Sequence, residues 1–359
     1  MLTKKIVKMN NPIIESFSVV TDKEQWTYYL HKSFEFDFYH TWHYHSLDER
    51  GTPLLFVYEE DDDFVAIPFL KREIEGANLF DLTSVYGYSG PVSNRRMTDI
   101  PELMKLNFGE AFKDFLRRDK VISVFSRLHP FLQQNMLLNQ LGGLQSNGKT
   151  VYIDFSVSLE EQRKNYNKRL LRQIRQLRKK SYTIKEAVSE EEVEMFTDIY
   201  RENMDRLYAS SEYYYSKEYF QKLVNNQNLS CKLVLVYDDC KVICGAIVGC
   251  SKCIIRNHLS ATHKDYIKDS PSKLLTDEIS VIGREMGLHY FHLGGGVGGK
   301  EDSLFAFKSS FSPLFLDDYI WCYIANEEAY QLLVQQNNIQ ANHNQQKFFP
   351  LYRVKPQAS

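Results

Sequence analysis

Leu54-Leu55-Phe56-Val57-Tyr58, an acidic turn at Glu59–Asp63, and Phe64-Val65-Ala66-Ile67-Pro68-Phe69 read as two β-rich runs joined by a polar turn. That is the pattern of a β-hairpin. The same order returns at Leu233-Val234-Leu235-Val236-Tyr237, Asp238-Asp239-Cys240-Lys241 and Val242-Ile243-Cys244-Gly245-Ala246-Ile247-Val248. Aligning Val57-Tyr58 with Val236-Tyr237 sets the copies half a chain apart. The period is too long for a solenoid and points to an internal duplication.

Helical patterns flank both hairpins. Lys23–Leu30 and Phe38–Leu47 precede the first, and Ile100–Arg118 and a strand at Val121–Phe125 follow it. Leu159–Lys180, read as one helix, then Glu190–Leu207 and Ser216–Asn225 precede the second. A strand at Ile254–Ser260, Ser272–Met286, a strand at His289–Leu293, a glycine loop and a short helix near Ser303–Phe311 follow it. Hairpin, helix and strand, taken twice, give two α/β lobes with mixed sheets. The lobes are expected over 1–155 and 156–321. Beyond Trp321 come one more strand, a helix at Glu327–Gln335, an Asn/Gln-rich loop and a last strand near Phe348–Val354. Residues 322–359 are a candidate to complete the first lobe's sheet. The arrangement requires two facing halves, so a single undivided sheet would contradict it.

The totals bound the function. At 359 residues the length prior is about two domains. Hydrophobic residues at 43% suffice for two cores. The net charge of −2 excludes a general polyanion binder, so any nucleic-acid or phosphate contact must come from a local patch. Met1–Val20 lacks the apolar stretch of a signal peptide, and no run is long enough to span a bilayer. A cytoplasmic protein with reduced thiols is expected. Cys250-Ser-Lys-Cys253 has zinc-like spacing, but it sits beside strand-like runs with Cys231, Cys240 and Cys244. Buried or hairpin-flanking thiols are expected there, and no metal site.

Arg163–Lys180 carries nine Lys or Arg and no acid, among them Lys168, Arg169, Arg172 and Arg175. Leu170, Ile174 and Leu177 repeat at helical spacing, so the helix is amphipathic with a cationic face. Such a face attracts a diphosphate or an RNA backbone, or is neutralised by the acidic stretch Glu186–Glu194. The loop Gly294-Gly295-Gly296-Val297-Gly298-Gly299-Lys300 nearly matches a phosphate-binding P-loop, but Glu301 stands where a hydroxyl should bind Mg²⁺. It reads better as a turn that lets backbone approach a ligand, with Asp302 or Ser303 capping the next helix. Lys308 on that helix is a fixed cation able to hold an anion or stabilise an oxyanion in acyl transfer. His40, His43 and His45 do not share one helix face and lack a partnering carboxylate.

Taken in order, several motifs resemble the Fem peptidoglycan-bridge transferases and their GNAT-like relatives. They are Phe38-Tyr39-His40-Thr41-Trp42, Tyr86-Gly87-Tyr88-Ser89-Gly90-Pro91, Arg127-Leu128-His129-Pro130 and the basic helix. They continue with Phe196–Tyr200, Met204-Asp205-Arg206, Tyr213-Tyr214-Tyr215, Tyr219-Phe220, Leu293-Gly294-Gly295 and Leu304-Phe305-x-Phe307-Lys308-x₂-Phe311. The resemblance implies tandem GNAT-like (acyl-CoA N-acyltransferase) lobes with an inter-lobe cleft. It implies transfer of an aminoacyl group from aminoacyl-tRNA to an amine of a cell-wall precursor. By motif, Lys308 would be catalytic, Arg206 would bind precursor phosphate, and Tyr214, Tyr215 and Tyr88 would line the channel beside Gly294, Gly295 and Gly296. Lys168, Arg169, Arg172 and Arg175 would meet phosphate or tRNA. No permanently bound cofactor is implied.

The sequence departs from the family in lacking a hairpin arm between lobes and an early basic residue. One alternative is an acetyl-CoA-dependent amino-sugar N-acetyltransferase. In that reading Lys268–Lys273, which has no glycine, would receive the diphosphate at a helix N-terminus. The other alternative is a non-catalytic pair binding RNA or a glycan precursor. Neither DNA nor more than peripheral membrane contact is expected.

Overall fold

The computed structural model describes residues 17–336 and 348–354. The start of the chain and most of the Asn/Gln-rich loop lie outside the described residues. The strands are β1 Phe17–Val20, β2 Thr52–Glu60, β3 Asp63–Ile74, β4 Leu79–Thr83, β5 Val92–Ser93, β6 Val121–Arg127 and β7 Leu144–Asp154. They continue as β8 Tyr182–Glu186, β9 Cys231–Asp238, β10 Lys241–Cys250, β11 Ile254–Thr262, β12 Tyr290–Gly294 and β13 Leu314–Ile324.

Both expected hairpins form. β2 pairs with β3 from Thr52↔Lys71 to Glu60↔Asp63, and β9 pairs with β10 from Cys231↔Gly249 to Asp238↔Lys241. Side chains of each strand alternate between two cores. Leu54, Phe56 and Tyr58 pack with the helix Glu102–Arg118, while Leu55 and Val57 face Trp26, Tyr29 and Leu30. Leu233, Leu235 and Tyr237 pack with Phe196, Tyr200 and Phe220, while Val234 and Val236 face Leu170, Ile174, Leu275 and Ile279. Burial on both faces explains why these strands read as unbroken apolar runs.

The expectation that the facing halves do not share a single sheet is corrected. Among the described residues the strands form one thirteen-stranded sheet, ordered β1-β2-β3-β4-β6-β13-β7-β12-β11-β10-β9-β8 with β5 against β3. Counted inward from each edge, the halves nonetheless repeat. β1-β2-β3-β4 and β8-β9-β10-β11 are antiparallel, β4/β6 and β11/β12 are parallel, and β6/β13 and β12/β7 are antiparallel again. The last strand of each half is exchanged: β7 joins the second half's sheet and β13 the first's. β13 then pairs with β7 over Leu314–Trp321. Pairing there removes two open edges that would otherwise expose backbone donors and acceptors.

Other expectations are corrected locally. Leu159–Lys180 is two helices, Leu159–Lys164 and Lys168–Leu177, with Asn167 capping the second through Arg169 N–H. Asparagine beside the buried Tyr166 offers the backbone a cap in place of a continuous helix. Phe38–Leu47 is likewise split into a 3₁₀ turn and the short helix Trp42–His45, with Thr41 as cap. The strand expected near Phe348–Val354 is a 3₁₀ turn at Leu351–Arg353. Tyr330, Leu333 and Tyr352 of this terminal segment pack on Ile74 and Ile122 of the first half. Among the described residues, no helix is long and apolar enough to cross a membrane.

Candidate active site

β12 delivers the glycine loop to the seam between the halves. Gly294 is left-handed, with φ +80°, and a Cβ there would lie 3.2 Å from Lys308 Nζ and 3.4 Å from the Tyr88 hydroxyl. A Cβ at Gly295 would approach Lys149 O to 2.7 Å, and one at Gly296 would meet Lys300 O and Asp302. These glycines therefore let the loop lie against β7 and fold back on itself. Asp302 caps the helix Ser303–Ser309, accepting from Phe305 N–H at 2.9 Å and from Val297 N–H at 3.0 Å. That cap aims Lys308 back at the loop, where Nζ donates to Gly295 O at 2.6 Å. Burial, then the neighbouring charge of Arg127, lowers the Lys308 pKa to about 8. Gly294→Ala is expected to cost about 1–2 kcal/mol through left-handed strain. It should also displace Lys308, so activity should fall by more than the drop in melting temperature explains.

Tyr88 faces Lys308 from the first half. Left-handed Gly87 and Gly90 carry it past Tyr39 and Gln134, where side chains would collide. Arg127 Nη2 donates to the Tyr88 hydroxyl at 3.1 Å and to Asp318 Oδ2 at 2.7 Å, and Asn147 Nδ2 donates to the same oxygen at 2.7 Å. Burial raises the Tyr88 pKa against the opposing charge of Arg127. Four buried polar atoms here lack a hydrogen-bond partner among the described residues: Arg127 Nε, Asp318 Oδ1, Thr150 Oγ1 and His292 Nε2. They stand on β6, β13, β7 and β12, which are consecutive in the sheet. Alternation puts them on one face, since Trp321, Val151, Ile153, Phe291 and Leu293 fill cores on the other. Buried polar groups are costly when unpaired, so a polar guest at the seam would satisfy them.

An aromatic path leads outward. The Tyr39 hydroxyl meets His258 Nδ1 at 2.9 Å, and the His258 ring lies 5.6 Å from Tyr86. Tyr86 neighbours Tyr213 at 5.8 Å and Tyr215 at 6.3 Å, and Tyr215 stacks on Tyr219. Thus Lys308, Tyr88, Gly294, Gly295 and Gly296 converge, and Tyr215 connects to them through Tyr86. Two expected residues stay apart. Tyr214 is exposed and donates to Asp205, and the exposed Arg206 donates to Asn203. Lys168, Arg169, Arg172 and Arg175 are exposed along their helix, whose N-cap Asn167 donates its N–H to Ser310 O beyond Lys308.

Sequence reasoning passed over Asp318, His292, Asp37 and Arg256, and took Arg127 only as part of a motif. The available signal was an ionisable residue inside an apolar strand, as at Arg256 within Ile254–Thr262. Cys231, Cys244, Cys250 and Cys322 are buried, and burial pushes the Cys244 and Cys322 thiols up to about 12. Neither serves as a thiolate nucleophile near neutral pH.

Residues 164–308 match the family model described as an acetyltransferase (GNAT) domain. No curated protein matches the chain. Among solved structures, FemX is 13% identical, covers 78% of this chain and 90% of its own, and superposes with a TM-score of 0.59. L-PGS from Bacillus licheniformis is 15% identical, with coverages of 88% and 96% and a TM-score of 0.56. A conserved protein of unknown function from Bacteroides thetaiotaomicron is 14% identical, with coverages of 84% and 96% and a TM-score of 0.56. At these identities the structures speak for the fold, and the domain match speaks for the chemistry. Residues 164–308 thus match a GNAT acetyltransferase domain, and the chain as a whole has a FemAB-like tandem GNAT fold.

Proposed function

We propose that this protein transfers an aminoacyl or acyl group to an amine of a cell-wall or surface-glycan precursor, at the seam between lobes 1–155 (with 322–359) and 156–321. The observation that carries the proposal is the Lys308 ammonium, set beside Tyr88 and four unsatisfied polar atoms. Acyl transfer to an amine requires a neutral amine, a polarised carbonyl and near-attack geometry. Lys308 is positioned to polarise the acyl oxygen. The free Oδ1 of Asp318 can accept an N–H from an ammonium or amine. Among the described residues no seam side chain is assigned as a general base, and the leaving group or water would remove the proton.

An aminoacyl-tRNA donor is favoured by the Fem resemblance of the motifs. The exposed Lys168, Arg169, Arg172 and Arg175, which have no ion-pair partner among the described residues, suit its backbone. Acetyl-CoA is the second reading, favoured by Lys273 in the first turn of the helix Ser272–Glu285. Burial first and then the Arg169 charge lower its pKa, so an anion bound at this helix N-terminus would stabilise its charged form. A cytoplasmic site of action fits the free thiols.

Thermal-shift titration with aminoacyl-tRNA, acetyl-CoA and UDP-sugars separates the readings. Stabilisation by aminoacyl-tRNA and a precursor, with an aminoacylated product by mass spectrometry, is the expected result. Stabilisation by CoA alone would favour acetyl transfer, and no turnover with any donor would overturn both. The pH profile is a further check. Activity should rise as the acceptor amine deprotonates and then fall as Lys308 loses its proton near its pKa of about 8. That falling limb should vanish from the residual rate of Lys308→Met.

A further inference from the structure

We infer that Arg256 is a positioning residue for the transfer site, holding the Tyr88 phenol and the His292 ring in place from across the seam. This inference rests on the acyl-transfer reading of that site.

Arg256 is 1% exposed and stands on β11 in the second half. Its backbone is half of the last β11/β12 register pair, Arg256↔His292, beyond which the two parallel strands cease to pair. Its side chain crosses to the first half. Nε and Nη2 donate to Asp37 Oδ2 at 3.2 and 3.0 Å, and His129 Nε2 lies 3.0 Å from the same oxygen. Nη1 meets His292 Nδ1. An arginine can only donate, so Nδ1 is assigned as the acceptor and the His292 proton to Nε2. This is the unsatisfied donor at the seam. Arg256 therefore sets the tautomer that presents an N–H to a guest.

The guanidinium also lies over two aromatic rings. It lies 4.7 Å from the Tyr88 ring centroid and 5.5 Å from that of Tyr39. Arg127 lies over the Tyr88 ring as well, at 4.2 Å. The phenol next to Lys308 is thus held by one guanidinium from each half. A buried ion pair such as Asp37–Arg256 is poor evidence for stability, because well-packed apolar side chains can replace one without loss. The planar, fixed fork is what a lysine or an apolar residue could not supply.

Arg256→Lys tests the inference, because it keeps the charge and loses the plane. In its crystal structure the Tyr88 hydroxyl should shift by about 1 Å from Lys308, and such a misplacement costs about 10²-fold in rate. kcat should fall accordingly while KM for donor and acceptor stays within about twofold, the pattern of a transition-state interaction. Methylguanidinium should restore part of the rate to Arg256→Ala, provided that variant folds. An unmoved Tyr88, an unchanged kcat, or a change confined to KM in Arg256→Lys would each overturn the inference. If the wild-type protein turns over no donor, the acyl-transfer reading fails by itself. The position of Tyr88 in the Arg256→Lys crystal then still decides whether Arg256 positions it.

Discussion

Lys308→Ala is expected to lower kcat by about 10²- to 10³-fold, the effect of deleting one preorganised donor to a developing oxyanion. The protein should remain folded. Among the described residues Lys308 makes a single hydrogen bond, to Gly295 O, and burial lowers its pKa, so the fold already disfavours its charge. Removing a desolvated cation should leave the melting temperature unchanged or slightly raised. Arg206→Ala supplies the contrast. Arg206 is exposed at the end of the helix Glu190–Arg206, apart from the seam, and touches Asn203, so its loss should leave kcat largely intact, and any effect should be confined to KM. Steady-state kinetics of both variants, with melting curves as the folding check, decide the matter. Equal and negligible effects in a purified, active enzyme would remove Lys308 from the chemistry.

The two hairpins were legible because strands buried on both faces must be apolar at every position, as Leu54–Tyr58 and Leu233–Tyr237 are. The glycine bend beside Lys308 was legible for a related reason: at φ +80° glycine avoids the left-handed strain that a side chain would bring. The single sheet was not. β7 opens with Leu144-Gln145-Ser146-Asn147-Gly148-Lys149-Thr150, which has no apolar alternation, because Asn147 and Thr150 point into a polar seam. A strand whose inward residues are polar for the sake of a site looks like a loop in sequence. The exchange of β7 and β13 was hidden too, since it is set by pairing between segments some 170 residues apart, such as Leu316↔Thr150. The pairing of Arg127 with Asp318 escaped notice because ion pairs between distant strands leave no local period. The break in Leu159–Lys180 escaped because the basic periodicity continues through Asn165–Asn167, while the asparagine cap interrupts only the backbone.

Asp37→Ala is expected to destabilise the fold by about 3–5 kcal/mol, the cost of leaving a buried charge without its partner. Asp37 is 2% exposed and Arg256 1%, so water cannot replace the lost carboxylate without opening the seam. Exposed pairs such as Lys113–Glu110 should contribute at most about 1 kcal/mol, and Glu110→Ala serves as the comparison. The pH dependence has a definite sign. Burial opposes ionisation of Asp37, but the Arg256 charge and the His129 hydrogen bond outweigh it and hold its pKa well below the usual carboxylate range. A depressed carboxyl pKa stabilises the fold at every pH above the unfolded value of about 3.9. The contribution is lost only as the pH falls from there through the folded value. The gap in stability between wild type and Asp37→Ala should therefore stay constant from pH 5 to 8 and narrow below about pH 4 in urea titrations. Asp37→Ala combined with Arg256→Met should recover much of the loss, because it removes both charges together. A double variant no more stable than Asp37→Ala alone would mean that packing at the seam, and not the stranded Arg256 charge, sets the penalty.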